Sequence, residues 1–282
     1  MITIERHAID QAFAAEQVSR LSADEKVAIE RTHQKPAWMP KVHRIALMHT
    51  QFRSVLNPTA SAIEVWDSIV LATQSATAIL VTGMVDGGGA NLLIGKRMQV
   101  PALGSHSYTG PTTWLTAHHL AVICRETKLI EILCSVPQSV LRSSESSMDE
   151  FAYLWVETLR AYWRQDKDVL TKLNTALAAT DPEILTAPVD LVLQHYYPTM
   201  KLFHFLVQQD ADGVNAGLVE ALELHKKYWG SGERAKDPLG FLALGPLAMA
   251  SLAYDLKLGL TVESDYLPKQ LIEGTWVGEY DT

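Results

Sequence analysis

Ten histidines are the residues of this chain best equipped for acid–base chemistry or metal binding, and their spacing limits what they can do. A zinc pair on a helix needs ligands one turn apart, at i and i+4, or in a His-Glu-x-x-His frame. His118 and His119 are adjacent and point to different faces of a helix. His43 and His49 are out of register, and His195 and His204 are separated by Pro198. No ligand set follows. A lone helical histidine is more often a hydrogen-bonded interior residue than a ligand. An enzyme would require the fold to gather several of His118, His119, His195, His204 and Glu223 in one pocket.

The other chemical signatures fail on particular residues. Gly95-Lys96 invites a phosphate-loop test, but Ala90 stands where the first glycine belongs, and Arg97 stands where a magnesium-binding hydroxyl belongs. Gly104-Ser105 and Gly230-Ser231-Gly232 do not form the Gly-x-Ser-x-Gly elbow of a serine nucleophile. Cys124 and Cys134 sit in apolar helical text, which suits buried free thiols better than nucleophiles or a disulfide. Asp149 and Glu150 open a helix, where the helix dipole explains acidic residues without catalysis. The sequence assigns no catalytic, cofactor-binding or metal-binding residue, and the expectation is a non-enzyme.

The elements that would position any site are helical. Apolar residues recur at helical spacing over 8–21, 23–33, 42–56 and 60–81 in the first part of the chain. Ser22-Ala23-Asp24-Glu25 and Ser147-Met148-Asp149-Glu150 read as capping boxes, and Thr59 or Ser61 as a further cap. After Gly87-Gly88-Gly89 the text changes. Residues 91–101 predict one small β-hairpin turning at Gly95. Helices resume over 112–127, 129–135, 147–163, 168–179, 211–229 and 239–256, with two short ones around Tyr196-Tyr197 and a last turn or two within 266–272.

No repeat register of about 34 residues persists. The fold class is therefore all-α (mainly α): an irregular multi-helix bundle or repeat-like helical array, organised as one domain over 1–282. A division into halves 1–142 and 147–282 at the serine-rich loop 143–147 is the alternative. Trp155 and Tyr162 cannot share one helix face with Tyr153 and Trp163, so some of these rings are expected at the surface, where Trp and Tyr serve as interface anchors.

Lys plus Arg number 24 and Asp plus Glu 32, a net charge of −8. Phosphate backbones and anionic lipids repel such a chain, whereas a basic protein surface attracts it. Nucleic acid and membrane are not expected partners. The apolar stretch 239–253 contains Gly240, Gly245 and Pro246 and falls short of the ~20 residues of a spanning helix, so a buried helix is expected there. With no basic–apolar start and only two cysteines, the expected compartment is the cytoplasm.

Three segments sharpen this picture: Leu222-Glu223-Leu224-His225-Lys226-Lys227-Tyr228-Trp229, the run Asp237-Pro238-Leu239-Gly240-Phe241-Leu242-Ala243-Leu244-Gly245-Pro246-Leu247-Ala248, and Val262-Glu263-Ser264-Asp265-Tyr266-Leu267-Pro268. Together they resemble immunity family 49, found beside polymorphic toxins in bacteria. The resemblance implies an all-helical cytoplasmic protein of bacterial competition. Such a protein binds a cognate toxin directly and neutralises it by occluding its active site, with no catalysis and no cofactor. The matched text is mostly interior, so no toxin-contacting residue is carried over and the oligomeric state is not implied. The alternative is a helical scaffold or adaptor for another cellular protein.

Overall fold

Residues 63–84 are apolar on every side, and a helix with no polar face must be enclosed by others. A computed structural model describes residues 1–85, 87–145 and 147–281 of the chain and places this helix at its centre. In chain order the elements are β1 (Ile2–Ile4), α1 (Gln11–Gln34), α2 (Met39–Leu56), α3 (Ile63–Met84), the strands β2 (Ala90–Ile94) and β3 (Lys96–Val100), α4 (Pro111–Ile123), α5 (Thr127–Ser135) and α6 (Gln138–Arg142). Then come α7 (Glu150–Trp163), α8 (Val169–Ala178), α9 (Val189–Leu191), α10 (Tyr197–Val207), α11 (Ala211–Trp229), α12 (Leu244–Asp255), β4 (Val262–Ser264) and α13 (Lys269–Ile272). Helix accounts for 65% of the protein and the strands form two small two-stranded sheets, so the mainly-α expectation holds.

The helices pack in succession, α1 on α2 and α2 on α3. Helix α3 then packs on α4, α4 on α12 and α7, α7 on α8, and α10 on α11 and α12. Helix α3 is long and apolar enough to cross a membrane, but 94% of its apolar window is buried inside the protein, as befits a core helix. Most of its buried hydroxyl side chains are satisfied locally. Thr73, Ser75 and Thr82 donate to the carbonyls of Ile69, Leu71 and Ala78 at 2.7, 2.7 and 2.9 Å, whereas the Trp66 indole N–H and the Thr77 hydroxyl are buried without a partner. Trp66, Ile69, Ile79 and Leu80 are fully enclosed, each contributing roughly 1.5–3 kcal/mol through burial.

Both capping boxes are corrected. The two helices expected over 8–33 form one, α1, capped by Asp10, whose carboxylate accepts from the amides of Ala12 and Phe13. Ser22 lies mid-helix and donates to the Val18 carbonyl at 2.9 Å, while Glu25 reaches across to His49 Nδ1 at 2.9 Å. A tertiary partner one helix away outcompetes the local cap. At the second box, Asp149 precedes α7 but makes no side-chain cap. It accepts instead from the amides of Thr186 and Ala187 at 3.0 and 2.8 Å and from the Thr186 hydroxyl. Ser146, within the expected loop 143–147, and Thr282 lie outside the described residues, as does Asp86.

The hairpin forms as expected. Strands β2 and β3 pair antiparallel from Ala90↔Val100 to Ile94↔Lys96, and Gly95 supplies the turn at φ +68°. Its amide donates to Gln74 Oε1 at 2.9 Å, pinning the hairpin tip to α3. The apolar stretch near 239 starts its helix later than expected. Pro238–Gly240 is a short 3-10 turn, and α12 begins at Leu244 with Pro246 in its first turn, where a missing N–H costs nothing. Between α9 and α10 the chain widens into a π turn, Val192–Tyr196, in which the Tyr197 amide donates to Val192 O. Pro198 cannot donate the next α-helical bond, so the widened turn falls where the α ladder would break.

The second sheet is unannounced by the sequence analysis. Strands β1 and β4 pair in parallel, Ile2↔Val262, Thr3↔Glu263 and Ile4↔Ser264, joining residues near the two ends of the chain. The aromatic expectation on α7 is also corrected. Tyr153 and Trp155 are both buried, and Tyr162 and Trp163 are half-buried, because α4, α5 and α8 all pack against α7. The exposed aromatic rings are instead Phe13, Tyr108, Tyr254 and Tyr280.

The carboxylate of Asp149 ties the start of α7 to the loop ahead of α9. Asp149→Ala is expected to lower the unfolding free energy by about 1.5–3 kcal/mol, the range for hydrogen bonds to a charged acceptor. Urea denaturation followed by tryptophan fluorescence measures it, and an unchanged midpoint would show the clamp to be dispensable.

Candidate partner-binding groove

The fold gathers some of the histidines and not others. His118 and His119 on α4, His195 in the π turn and His225 on α11 join Tyr266 and His7 in a row of rings through the interior. Trp114 stacks on His118 with centroids 5.2 Å apart and planes 11° apart. Trp163 donates its indole N–H to His118 Nε2 at 2.8 Å, which leaves the proton of that ring on Nδ1. His118 and His119 lie 5.8 Å apart and His195 and His225 6.2 Å apart, centroid to centroid. His225 Nε2 donates to the Gly240 carbonyl at 2.9 Å and its ring meets Tyr266 edge-on at 4.8 Å. The Tyr266 hydroxyl is 2.7 Å from His7 Nδ1.

His204 and Glu223 do not join them. His204 packs against its neighbour Phe205, and Glu223 is exposed on α11. Among the described residues, no group of three His, Cys, Asp or Glu side chains has a geometry for a metal ion. Burial pushes the basicity of these rings down. His119 and His225 fall to about 3 and His195 to about 4, with neighbouring histidines depressing His119 and His225 further. His118 is held well below the ordinary value by burial and by His119. The row is neutral at physiological pH and acts as polar packing.

The remaining chemistry-bearing residues settle into structure. Cys124 is buried against the Thr73 hydroxyl at 3.5 Å, and burial pushes its thiol up to about 12. Cys134 is also free, with its thiol pushed up by burial. Lys96 and Arg97 begin β3 beside the hairpin turn.

A well-defined concavity lies elsewhere, along β1 and β4. It is a groove of about 1010 Å³ between the small sheet, the end of α12, α13 and residues 58–59. Ile4, Val262, Leu267 and Ile272 supply apolar lining, and Met1 and Tyr254 stand on it 84% and 44% exposed. Five carboxylates line it, Glu5, Asp255, Glu263, Asp265 and Glu273, against two lysines, Lys257 and Lys269. Arg125 braces one wall. It donates to both carboxylate oxygens of Asp255 at 3.2 Å and to the Leu271 carbonyl at 2.8 Å. Lys269 pairs with Glu273 at 3.8 Å. Among the described residues no ion pair engages Glu5 or Glu263, and both are exposed.

The local sequence explains this arrangement. In a strand, alternate side chains share a face, so Thr3 of β1 and its register partner Glu263 of β4 lie on the same side of the sheet, and Glu5 and Asp265 line the groove just past the strand ends. The inward positions Ile4 and Val262 pack on the core. Sequence reasoning missed the groove. The alternation of Ile2-Thr3-Ile4-Glu5 and of Val262-Glu263-Ser264-Asp265 was the available signal, but nothing local says that the two segments meet. An apolar trough rimmed by unpaired carboxylates suits a protein surface that carries basic and apolar side chains together.

The family model described as Immunity protein 49 matches residues 57–271, the larger part of the chain and far more than the three segments that carry the resemblance. The chain therefore belongs to the Immunity protein 49 family. No curated protein and no solved structure matches it. The groove joins β4, inside the matched region, to β1, outside it.

The neutral histidines make a pH prediction. Their folded values lie below the unfolded value of 6.5, so the unfolded chain binds more protons below that point. Their contribution is complete above pH 6.5 and drains away as the pH falls toward 4. The urea midpoint is expected to drop steeply between pH 7 and pH 5, and His225→Gln is expected to flatten the slope. A midpoint flat across this range would contradict the neutral assignment.

Proposed function

We propose that this member of the Immunity protein 49 family binds a cognate bacterial toxin in the cytoplasm and neutralises it by direct contact, occluding its active site without catalysis of its own. The observation that carries the reading is the groove. It combines exposed apolar side chains with an excess of carboxylates, and among the described residues Glu5 and Glu263 stand there without an ion-pair partner. Carboxylates left unpaired on a rim speed association with an oppositely charged surface, while apolar contacts in the trough slow release. A toxin whose active site is basic, as suits chemistry on nucleic acids or nucleotides, offers the complementary surface. The net charge of −8 adds long-range attraction in the same direction.

Co-expression tests the proposal. Cells producing the toxin encoded beside this protein are expected to survive only when the protein is present. The double variant Glu5→Lys, Glu263→Lys is expected to lose rescue and to bind the purified toxin at least about tenfold more weakly, mainly through a slower on-rate that salt no longer affects. Its thermal unfolding should match the parent, since both side chains are exposed. Full rescue by that variant would move the interface away from the groove.

A further inference from the structure

The sheet at the groove is unfinished. It has two strands of three residues each, and a sheet that small gains little by itself. The hydrogen bonding fixes which way its free edge faces. The Ile2 amide donates to the Thr261 carbonyl at 2.8 Å, so the peptide groups of Ile2 and Ile4 point toward β4. Successive peptide groups along a strand alternate, so the N–H and C=O of Thr3 point the opposite way. Among the described residues the Thr3 backbone has no hydrogen-bond partner outside the sheet, and Thr3 lines the groove together with Met1 and Glu5. An open strand edge is a template for another strand, and proteins that leave one exposed normally blunt or cover it. Here it borders an apolar trough lined by Glu263 of β4 and by Glu5 and Asp265, which directly follow the two strands.

We infer that the groove receives an extended segment of the partner, which pairs with the open edge of β1 as a third strand and alternates basic with apolar side chains. This inference rests on the groove being the face that binds the toxin. The main-chain bonds of the added strand supply affinity, and the alternate side chains supply specificity. Its basic residues face Glu263 of β4 and the neighbouring Glu5 and Asp265, which line the groove just past the strand ends. Its apolar residues turn toward the trough, where Ile4, Val262 and Leu267 lie and Met1 is exposed. A helix docked in the same trough could use the apolar lining and the charges, but it would leave the Thr3 peptide group unpaired.

Three short synthetic peptides test this on the full-length protein by fluorescence anisotropy: alternating lysine and valine, the same peptide N-methylated on the amides of one edge, and alternating glutamate and valine. The lysine peptide is expected to bind, with an affinity that falls as salt rises. The form N-methylated on the pairing edge is expected to bind at least about tenfold more weakly, since it loses main-chain donors. The glutamate peptide is expected not to bind. Amide exchange measured by NMR should slow at Thr3 when the lysine peptide is bound. Equal binding of the lysine peptide and its N-methylated form, an unprotected Thr3 amide or no binding of the lysine peptide would each overturn the added strand. If the charge-reversed protein still loses the toxin in those cases, the groove stands as the interface and only the strand geometry falls.

Discussion

The constraint on which the structure depends is the enclosure of α3. A helix of 22 residues with apolar side chains around its whole circumference cannot lie on a surface, so other elements must cover each of its sides. Helix α2 packs on it, α4 and α5 pack elsewhere on it, and the hairpin β2–β3 lies against it through Gln74 and Gly95. Gln74 also donates to the Asp281 carbonyl at 2.8 Å, so the last described residues fold back to the same helix. Helices α7 and α12 form a second layer on α4, and α8, α10 and α11 pack on these in turn.

That second layer explains the histidines. Rings that spacing alone scatters along the chain are brought together where α4, the π turn and α11 meet. The interior there is too dry to charge them, so they pack face and edge against Trp114, Trp163 and Tyr266. A buried imidazole has one nitrogen to donate and one to accept. His118 spends its acceptor on Trp163, and His225 spends its donor on Gly240. Groups that could support acid–base chemistry at a wet cleft are here engaged in holding helices together. The carboxylates, by contrast, are left outside, and the groove at β1 and β4 concentrates five of them beside apolar surface. Polar rings thus lie within and charge without.

The parts of the fold legible in the sequence were those fixed by local periodicity. Helix α11 matches its expected bounds, Ala211–Trp229, because its apolar face, its Asp210 cap and its Gly230 stop are all local. The hairpin was legible because glycine adopts the positive φ of a tight turn without strain, and Gly95 stands midway between two apolar runs. The capping boxes misled because Ser22 and Glu25 carry the right residue types while His49, distant in sequence, offers Glu25 a better partner. Asp149 misled for the same reason, with Thr186 and Ala187 in the part of His49.

By itself the sequence determined the mainly helical class, the acidic balance, the absence of recognised catalytic motifs and the family resemblance, since each is a property of composition or of residues near one another. Only the tertiary structure decided which histidines meet, that α7 is covered on both of its aromatic faces, and that Ile2–Ile4 pairs with Val262–Ser264. A three-residue strand carries too little periodicity to announce itself. Its pairing joins residues separated by nearly the whole chain, and it exists only because the helices between them bring the two ends to one place.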